Sequence, residues 1–393
     1  MRNNVDEVIA KVLAKFRRTV PLAATSDLLP YRSENGKWIE SPWNCGNGWW
    51  TAGFWPGMMW LLSTLAGEKK ETGATPFHDE AVRATELMTD QFRVYRHLNH
   101  DVGFMFLLSC GAKHKIGGDE QSRLDALHAA SLLMGRFNPT STPRAGFIKS
   151  WDGREQLGYA IIDCMMNLPL LYRATRETAD PRFAAVARIH ADTAKQHFVR
   201  ADGSCRHIVE FDPETGAFVR EHGGQGYAVG SSWSRGQAWA LYGFTLLAMN
   251  TGDADDLATA ERIARYFVAN IREDGLVDCD FRQPADVYRL DNIASACAAC
   301  GFLELAQLTG KAEYRTAAEK LLDGLIDHCC DWGDRSDRSD RSDRCDRYCG
   351  ILTHCTAAYH DDNVGTHTNI TYGDYFFVEA LCKVKGVDPM LWI

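Results

Sequence analysis

The chain has 393 residues, 45% of them hydrophobic and 24% charged, and its formal net charge is −9. This composition is typical of a globular protein with a large core, and an acidic chain without Lys- or Arg-rich runs is unsuited to nucleic-acid binding. No stretch reaches the roughly 18 apolar residues of a membrane span. The N-terminal segment also lacks the apolar core of a secretory signal, so we expect a cytoplasmic protein with no membrane partner.

The cysteine pattern also favours a reducing compartment. There are 13 cysteines, an odd number, and several of them, such as Cys164 and Cys297, lie in apolar helical runs where a free thiol packs as a small hydrophobe. The alternative is a metal site built with nearby histidines from Cys329, Cys330, Cys345, Cys349 and Cys355. Their spacing matches no paired CxxC pattern, so we predict neither a metal nor a cofactor.

Helical periodicity dominates the sequence, and strand signals are sparse. The predicted helices lie near residues 5–18, 50–66, 78–95, 102–112, 119–136, 161–172, 182–198, 238–249, 257–271, 294–306, 313–326 and 374–385. From residue 161 onwards they come in pairs, in which a helix that is apolar on all sides precedes an amphipathic one. A helix of the first kind is buried and one of the second kind has a solvent-facing side.

This alternation predicts two concentric layers of helices. We therefore predict an all-α fold, an (α/α)6 barrel of six helical hairpins with inner and outer rings, formed by residues 1–393 as one domain. An open α-solenoid is the alternative, but the inner helices begin near 161, 238 and 294 and are not regularly spaced. Long ordered loops on such a scaffold, for example 199–231, usually carry function.

Residues 333–347 repeat Arg-Ser-Asp with balanced charge. The segment has no apolar face to bury, so we predict a solvated surface loop. An arginine cluster that binds anions is the alternative interpretation.

Tryptophan is concentrated in residues 43–60, which hold five of the 11 tryptophans. The tryptophan ring stacks on the apolar faces of sugars, and its N–H can donate a hydrogen bond. Trp60 is expected in the core. Trp49, Trp50 and Trp55 lie at a junction between a loop and a helix, where a pocket wall and a core position are equally consistent with the pattern.

Two carboxylates stand in unusual surroundings. Asp101, in HLNHDVGF, begins a helix, where backbone N–H groups and the helix dipole keep an N-cap Asp ionised. Asp163, in IIDCMMNLPLLY, follows two isoleucines, and desolvation in such a run raises the pKa of a carboxyl group. Two carboxyls whose pKa values are separated by their environments indicate an acid/base pair. The alternatives are a plain helix cap and a hydrogen-bonded structural Asp.

Residues 222–244 form a loop rich in Gly and Ser that leads into an apolar helix. Gln225, Arg235 and Trp239 lie in this segment. Arg235 could hold a carboxylate through a two-pronged hydrogen bond, or it could pair with an acid in the barrel wall. His207, in SCRHIVEF, could be a hydrogen-bonding group of a pocket or an ordinary loop residue.

Four motifs in order, NHDVGF, IIDCMMNLPLLY, QGYAVGSSWSRGQAWALYGF and YGDYFFVEAL, resemble the unsaturated glucuronyl hydrolases of glycoside hydrolase family 88 over about residues 40–385. The resemblance implies an (α/α)6 barrel that removes a 4,5-unsaturated glucuronic acid from the non-reducing end of oligosaccharides released by polysaccharide lyases. It implies that Asp163 is the principal catalytic carboxyl and Asp101 the second. It implies a sugar subsite formed by Trp55, Trp151, His207, Gln225, Arg235 and Trp239.

The chain departs from the family pattern in two places. The repeat at 333–347 looks like an insertion, and GTHTNITYGDYF lacks the Ser/Lys pattern that some members use near a sulfate group, which leaves the tolerance of sulfated substrates open. An unsaturated rhamnogalacturonyl hydrolase acting on pectin fragments is a close alternative. A sugar epimerase on the same barrel would need paired histidines, and a non-catalytic helical carbohydrate-binding scaffold would have no pocket inside the ring.

Overall fold

The computed structural model of this protein describes residues 1–68, 75–333, 347–361 and 365–393. Most of the Arg-Ser-Asp repeat, residues 334–346, lies outside these ranges, so the surface loop expected at 333–347 stays a prediction. The α-helices are α1 (Val5–Ala23), α2 (Phe54–Ala66), α3 (Pro76–Thr89), α4 (Gln91–Val94), α5 (Val102–Phe106), α6 (Ala112–Gly117), α7 (Glu120–Gly135), α8 (Pro169–Thr178), α9 (Pro181–His197), α10 (Ser234–Thr251), α11 (Ala254–Ala269), α12 (Asn292–Thr309), α13 (Ala312–His328) and α14 (Thr371–Lys385).

The strands are short and form three small sheets with the orders β2-β1-β8, β3-β4 and β5-β6-β7, all antiparallel. They are β1 (Arg32–Glu34), β2 (Lys37–Ile39), β3 (Phe137–Asn138), β4 (Phe147–Ile148), β5 (Tyr159–Ile161), β6 (Ile208–Phe211), β7 (Phe218–His222) and β8 (Asn369–Ile370). These sheets lie in the connections between helices, and their short strands agree with the sparse strand signals of the sequence.

The inner ring consists of α2, the continuous segment α5–α6, α8, α10, α12 and α14. A π-helical turn at Leu107–Gly111 joins α5 to α6, and Gly103 of α5 packs directly against Asn167 just before α8. The remaining neighbours contact one another around the ring, and α14 closes it by packing against α2. An open solenoid would leave its first and last inner helices apart, so the predicted (α/α)6 barrel is confirmed.

The outer ring consists of α1, α3, α7, α9, α11 and α13, which pack respectively on α14, α2, α5, α8, α10 and α12. Their amphipathic pattern explains this arrangement, since α11 buries Ile263, Ala264 and Phe267 against α10 and keeps charged residues on its other side. At the turns between layers, α10 ends at Gly252 with a φ of 67°, a left-handed conformation that favours glycine. Asp253 then caps α11 by accepting the N–H of Asp255 at 2.8 Å.

The prediction of a continuous helix at 161–172 is wrong. Tyr159–Ile161 form β5, which pairs with β6, Ile162–Met166 form a 3₁₀ turn, and α8 begins only at Pro169. Proline lacks the N–H that the interior of a helix needs but fits the first helical turn. Asp163 therefore lies in the turn between a strand and a helix, at the end of the barrel where the inner helices begin.

The described cysteines are all free thiols, and most of them are buried. In the described ranges no group of three or more His, Cys, Asp or Glu side chains is arranged to hold a metal ion; Cys345, one of the five cysteines considered above, lies outside those ranges. No helix among the described residues is both long enough and apolar enough to cross a membrane.

Candidate active site

A cavity of about 360 Å³ opens at the end of the barrel where the inner helices begin. Most of its lining comes from residues that precede or start inner helices and from the loops that connect the two rings. Six of the lining side chains are aromatic: Tyr31, Trp43, Trp49, Trp50, Trp151 and Tyr372. Asp101, Asp163, His207 and Gln225, four residues singled out in the sequence, line the same cavity.

Five of these aromatic side chains, all except Trp151, form one connected wall, in which Tyr31 packs edge-on against Trp43. Trp43 is 40% exposed at the surface and stacks on Trp49 at a centroid separation of 4.3 Å. Trp50 follows, with its ring centroid 6.4 Å from that of Trp49 and 5.1 Å from that of Tyr372. Flat apolar rings with polar edges are suited to stacking against sugar rings.

Asp163 is buried at one side of this cavity, with 8% of its surface exposed. Ile161, which precedes its turn, also lines the cavity, and the Oδ1 atom of Asp163 has no hydrogen-bond partner among the described residues. Burial raises the pKa of Asp163 to about 7, although the positive charge of Arg235 acts in the opposite direction. A carboxyl with this pKa can donate a proton near neutrality.

The protonation state and the hydrogen bonds of Asp101 differ from those that the sequence predicts. Burial, and secondly the charge of Asp163, raise the pKa of Asp101 well above its usual range, while the positive charge of Arg136 and the amides of Asn167 and Asn99 oppose the shift. The expected N-cap hydrogen bond is absent, because the side chain of Asp101 accepts none of the N–H groups that begin α5. The prediction that the helix end holds Asp101 ionised is therefore wrong.

Asn167 takes the place that Asp101 was expected to fill. Its Oδ1 accepts the N–H of Phe104 at 2.7 Å, and its Nδ2 donates to the backbone carbonyl of Asp163 at 3.2 Å. A Cβ on Gly103 would lie 2.5 Å from that Oδ1, so glycine is required for this close approach. Asn167 thus connects the segments that carry the two carboxyls.

His207 faces Asp163 through its Nε2 atom, which lies 3.9 Å from Oδ1 of Asp163. Its Nδ1 accepts the backbone N–H of Gln225 at 3.0 Å, so the proton of a neutral ring lies on Nε2. Burial lowers the pKa of His207 to about 3, which keeps the ring neutral. The side-chain amide of Gln225 donates to the carbonyl of Ala357 at 2.8 Å and so ties the loop to the opposite wall.

Three of the predicted subsite residues do not line the cavity. Trp55 is fully buried and donates from Nε1 to Glu80 at 2.7 Å, and Trp239 is fully buried next to Phe104. Arg235 is also fully buried. The structure therefore differs from the predicted direct sugar contacts at these positions, because α2 and α10 direct these side chains into the core of the barrel.

Arg235 instead pairs with an acid in the barrel wall, which was the alternative interpretation of this residue. Its Nη1 donates to Asp291 Oδ2 at 2.8 Å and to the carbonyl of Thr356 at 2.7 Å, and Nη2 donates to the carbonyl of Ala357. The guanidinium lies 5.5 Å from the ring centroid of Tyr372, so it sits behind the cavity wall.

Comparisons with known proteins show the family to which this chain belongs. The sequence profile of Glycosyl Hydrolase Family 88 matches residues 30–334. The chain belongs to this family. An unsaturated glucuronyl hydrolase from Bacillus sp. (strain GL1) is 35% identical over 355 residues, which cover 87% of this chain and 88% of the relative.

Two further relatives of this Family 88 chain are informative. An unsaturated chondroitin disaccharide hydrolase from Streptococcus pneumoniae is 30% identical over 401 residues, which cover 99% of this chain and 92% of the relative. The crystal structure of the unsaturated glucuronyl hydrolase from Bacillus sp. GL1 superposes with a TM-score of 0.85 at 32% identity and covers 99% of both chains. The predicted family and enzyme class are confirmed.

Sequence reasoning missed several residues of this Family 88 site. His100 lies directly before Asp101, and its Nε2 is 3.4 Å from Asp101 Oδ2. The motif NHDVGF contains it, so a signal was present. Asn167 is within IIDCMMNLPLLY and Tyr372 begins YGDYFFVEAL, but no local pattern separates these side chains from core residues. Tyr31 comes from a segment without a distinct motif.

Proposed function

We propose that this chain removes a 4,5-unsaturated glucuronic acid from the non-reducing end of oligosaccharides released by polysaccharide lyases. Membership of Family 88 supports this reaction class. The observation that carries the proposal is the Asp163 carboxyl. Its Oδ1 has no hydrogen-bond partner among the described residues, its pKa is about 7, and it lies on an aromatic-lined cavity.

The substrate determines which chemistry this carboxyl performs. An unsaturated uronic acid contains a vinyl ether, in which the C4=C5 double bond is joined to the ring oxygen. Protonation of C4 by the neutral carboxyl of Asp163 gives an oxocarbenium ion at C5. The carboxylate that results then accepts a proton from the water that adds to C5. The hemiketal opens to a ketone, and the hemiacetal left at C1 releases the second sugar.

Asp101 and His207 support this step from two sides. The raised pKa of Asp101 favours its neutral carboxyl, which can hydrogen-bond a substrate hydroxyl and hold the sugar ring in the cavity beside Asp163. His207 presents Nε2–H to the side of Asp163 without adding a full positive charge. A neutral donor leaves the carboxyl protonated, which the first step needs.

One wall of this cavity is favourable for binding the carboxylate of the substrate. No Lys or Arg is present among the described lining residues, whereas Arg235 lies behind Tyr372. We expect the substrate carboxylate to lie against the wall formed by Tyr31 and Tyr372, in the positive potential of Arg235. Arg235 would then act at a distance, since its own hydrogen bonds go to Asp291 and to backbone carbonyls.

The charges of the lining also favour a particular second sugar. No Lys or Arg side chain is among the described residues that line the cavity, so a sulfate group there would meet no permanent positive charge from these residues. The Bacillus relative is described as responsible for the degradation of glycosaminoglycan, and the Streptococcus relative as acting on unsaturated chondroitin disaccharide. We therefore propose unsulfated glycosaminoglycan-derived disaccharides as substrates.

The decisive experiment follows the ultraviolet absorbance of the C4=C5 bond. Lyase-generated disaccharides from unsulfated chondroitin, sulfated chondroitin and pectin are each incubated with the protein. We expect absorbance to fall fastest with the unsulfated chondroitin disaccharide and not to fall with Asp163→Asn. Asp278→Asn is the matched control, because Asp278 pairs with Arg272 away from the cavity. Unchanged absorbance with all three disaccharides would overturn the proposed reaction, and a preference for the pectin product would overturn the proposed substrate class.

We also propose that the protein is cytoplasmic and that residues 1–393 form one domain with 333–347 as an inserted surface loop. The free thiols of the described cysteines support the location, because a reducing compartment keeps thiols unpaired. Cell fractionation tests the location, and limited proteolysis tests the loop. Cleavage confined to 333–347 is expected, whereas early cleavage between ring helices would contradict a single domain.

A further inference from the structure

Asp280, a buried carboxylate outside the cavity, holds the loop that presents Gln225 and contacts His207. It is fully buried in the connection between α11 and α12. Its Oδ2 accepts the N–H of Tyr227 at 2.9 Å and the hydroxyl of Ser231 at 2.6 Å. Its Oδ1 accepts the N–H groups of Ser232 at 3.0 Å and Arg282 at 2.9 Å.

These four hydrogen bonds hold the neighbouring loop firmly to the Asp280 side chain. Each carboxyl oxygen of Asp280 accepts two hydrogen bonds, and three of the four donors belong to the loop 223–233. Gly226 packs so closely that a Cβ there would lie 2.9 Å from Asp280 Oδ2. The loop is thus pressed against Asp280 on one side.

On its other side the same loop is pressed against His207. The N–H of Gln225 donates to His207 Nδ1, and the ring of Trp233 packs on the imidazole at a centroid separation of 4.3 Å. At Gly224, whose φ is 57°, a Cβ would lie 2.0 Å from His207 Nδ1. A small displacement of the loop therefore removes the only N–H that Nδ1 accepts among the described residues.

We propose that Asp280 is a positioning residue that fixes His207 as the neutral imidazole with its proton on Nε2, facing Asp163. This inference rests on the proposed function, in which His207 serves as a neutral donor. Asp280 acts on His207 through the loop. It fixes the loop, the loop places the Gln225 N–H, and that N–H donates to Nδ1 of His207. Without that N–H, Nδ1 no longer accepts a hydrogen bond and can carry the proton of the neutral ring, so that Nε2 loses its hydrogen.

The groups around His207 determine what a loosened ring does. Asp163 faces Nε2, Arg235 acts on the ring with its positive charge, and His100 is the nearby titratable group on the side of Asp101. A ring that can take a second proton becomes a cation next to Asp163. Such a cation favours the carboxylate of Asp163 and so removes the acid that protonates C4.

Asp280→Asn is the test, since Asn keeps the shape but its NH₂ group cannot accept a hydrogen bond. A misplaced catalytic group costs on the order of 10²-fold, so we expect kcat to fall about 10- to 100-fold while KM changes little. The acidic limb of the kcat/KM profile should move towards about pH 6.5, the ordinary range of histidine. Asp278→Asn, two residues away in the same connection, should retain the wild-type kcat and pH profile.

A second measurement does not depend on turnover. Nitrogen NMR of ¹⁵N-histidine-labelled protein, with His207→Gln for assignment, distinguishes a protonated from an unprotonated ring nitrogen. We expect an unprotonated Nδ1 and a protonated Nε2 in the wild type, and mixed tautomers in Asp280→Asn. Where that variant does not fold, Ser231→Ala removes one of the four hydrogen bonds and should shift the same signals by a smaller amount.

The outcomes separate the two proposals. A folded Asp280→Asn protein with wild-type kcat, pH profile and His207 signals would overturn the positioning role, as would a lowered melting temperature without any of those changes. A wild-type protein that consumes no unsaturated disaccharide would overturn the proposed function, while the tautomer of His207 and its dependence on Asp280 would still be measured.

Discussion

Asp163 is the residue on which the proposed reaction depends most directly. Asp163→Asn keeps the shape of the side chain but cannot donate or accept the proton at C4 and at water. A positioned acid or base contributes about 10²–10⁴-fold to a rate, and one group with both tasks should lie at the upper end. Steady-state turnover of an unsaturated disaccharide checks this loss, and a folded variant with wild-type turnover would contradict it.

The raised pKa of Asp163 also predicts how stability depends on pH. Its pKa is about 7 in the folded protein against 3.8 for an exposed carboxyl. Between these values the folded state binds a proton that the unfolded state has released, so stability falls as pH rises and levels off above about pH 7. The difference of about 3 pH units corresponds to about 4 kcal/mol at most.

Asp163→Asn removes this dependence. We expect the melting temperature of the variant to equal that of the wild type near pH 4, to exceed it increasingly up to about pH 7 and to keep that difference at pH 8. Paired melting curves across this range measure the effect, and the other titrating groups cancel in the difference. A variant less stable than the wild type at pH 8 would indicate an ionised structural Asp instead.

Substitution of two tryptophans should distinguish a residue that binds the sugar from one that packs in the core. Trp151 lines the cavity and is partly exposed, whereas Trp239 is fully buried beside Phe104. Trp151→Ala should raise KM, with a loss on the order of 1 kcal/mol of binding and little change in melting temperature. Trp239→Ala should lower the free energy of unfolding by about 3–5 kcal/mol. The reverse pattern would place the sugar at Trp239.

At the scale of elements, the loop 223–233 needs glycine at position 224, next to His207. Gly224 and Gly252 both have positive φ, 57° and 67°, but only Gly224 lacks room for a Cβ. Gly224→Ala should displace His207 and lower kcat/KM about 10²-fold. Gly252→Ala, in open space at the end of α10, should lower stability by about 1 kcal/mol and leave kcat/KM unchanged. Equal effects of the two substitutions on activity would contradict this assignment.

The segment before α8 shows why elements of the site escape local analysis. Its apolar residues are compatible with a buried helix, and the periodicity of such a short run does not distinguish helix from strand. Pairing of β5 with β6, which lies almost 50 residues further along the chain, decides for a strand. Pro169 then sets the start of α8 and leaves Asp163 in the intervening turn.

At the scale of the whole molecule, a buried charge cluster holds the end of the barrel away from the cavity. Lys383 lies 11 residues after Tyr372 on α14, about 16 Å along the helix. Its Nζ contacts Glu304 of α12 at 2.5 Å, Glu379 at 3.3 Å and also Asp388. The cluster therefore joins two inner helices to the C-terminal residues.

Lys383→Met would leave buried carboxylates without their cation, which typically costs 3–5 kcal/mol. We expect a loss of about that size in the free energy of unfolding, with an unchanged kcat at temperatures where the variant is folded. Lys385→Met is the matched control, because Lys385 pairs with Asp6 at the surface and should cost less than about 1 kcal/mol. Urea unfolding compares the two, and equal losses would contradict a stabilising cluster.

By itself, the sequence determined the barrel and the setting of one carboxyl. The alternation of apolar and amphipathic helices and the Gly and Asp residues between them predict two rings, because burial and helix ends are encoded within a few residues of one another. The isoleucines beside Asp163 predict its raised pKa for the same reason, since its immediate neighbours contribute to its desolvation.

Only the tertiary structure decided how the other polar groups are paired. Asn167, 63 residues after Phe104, takes the N–H that Asp101 was expected to accept, and Asp291, 56 residues after Arg235, takes the guanidinium predicted to meet substrate. The tautomer of His207 likewise depends on the Gln225 N–H. The physical reason is that a buried polar group must find a partner wherever the folded chain supplies one, and closure of the barrel brings such partners together without any trace in local periodicity.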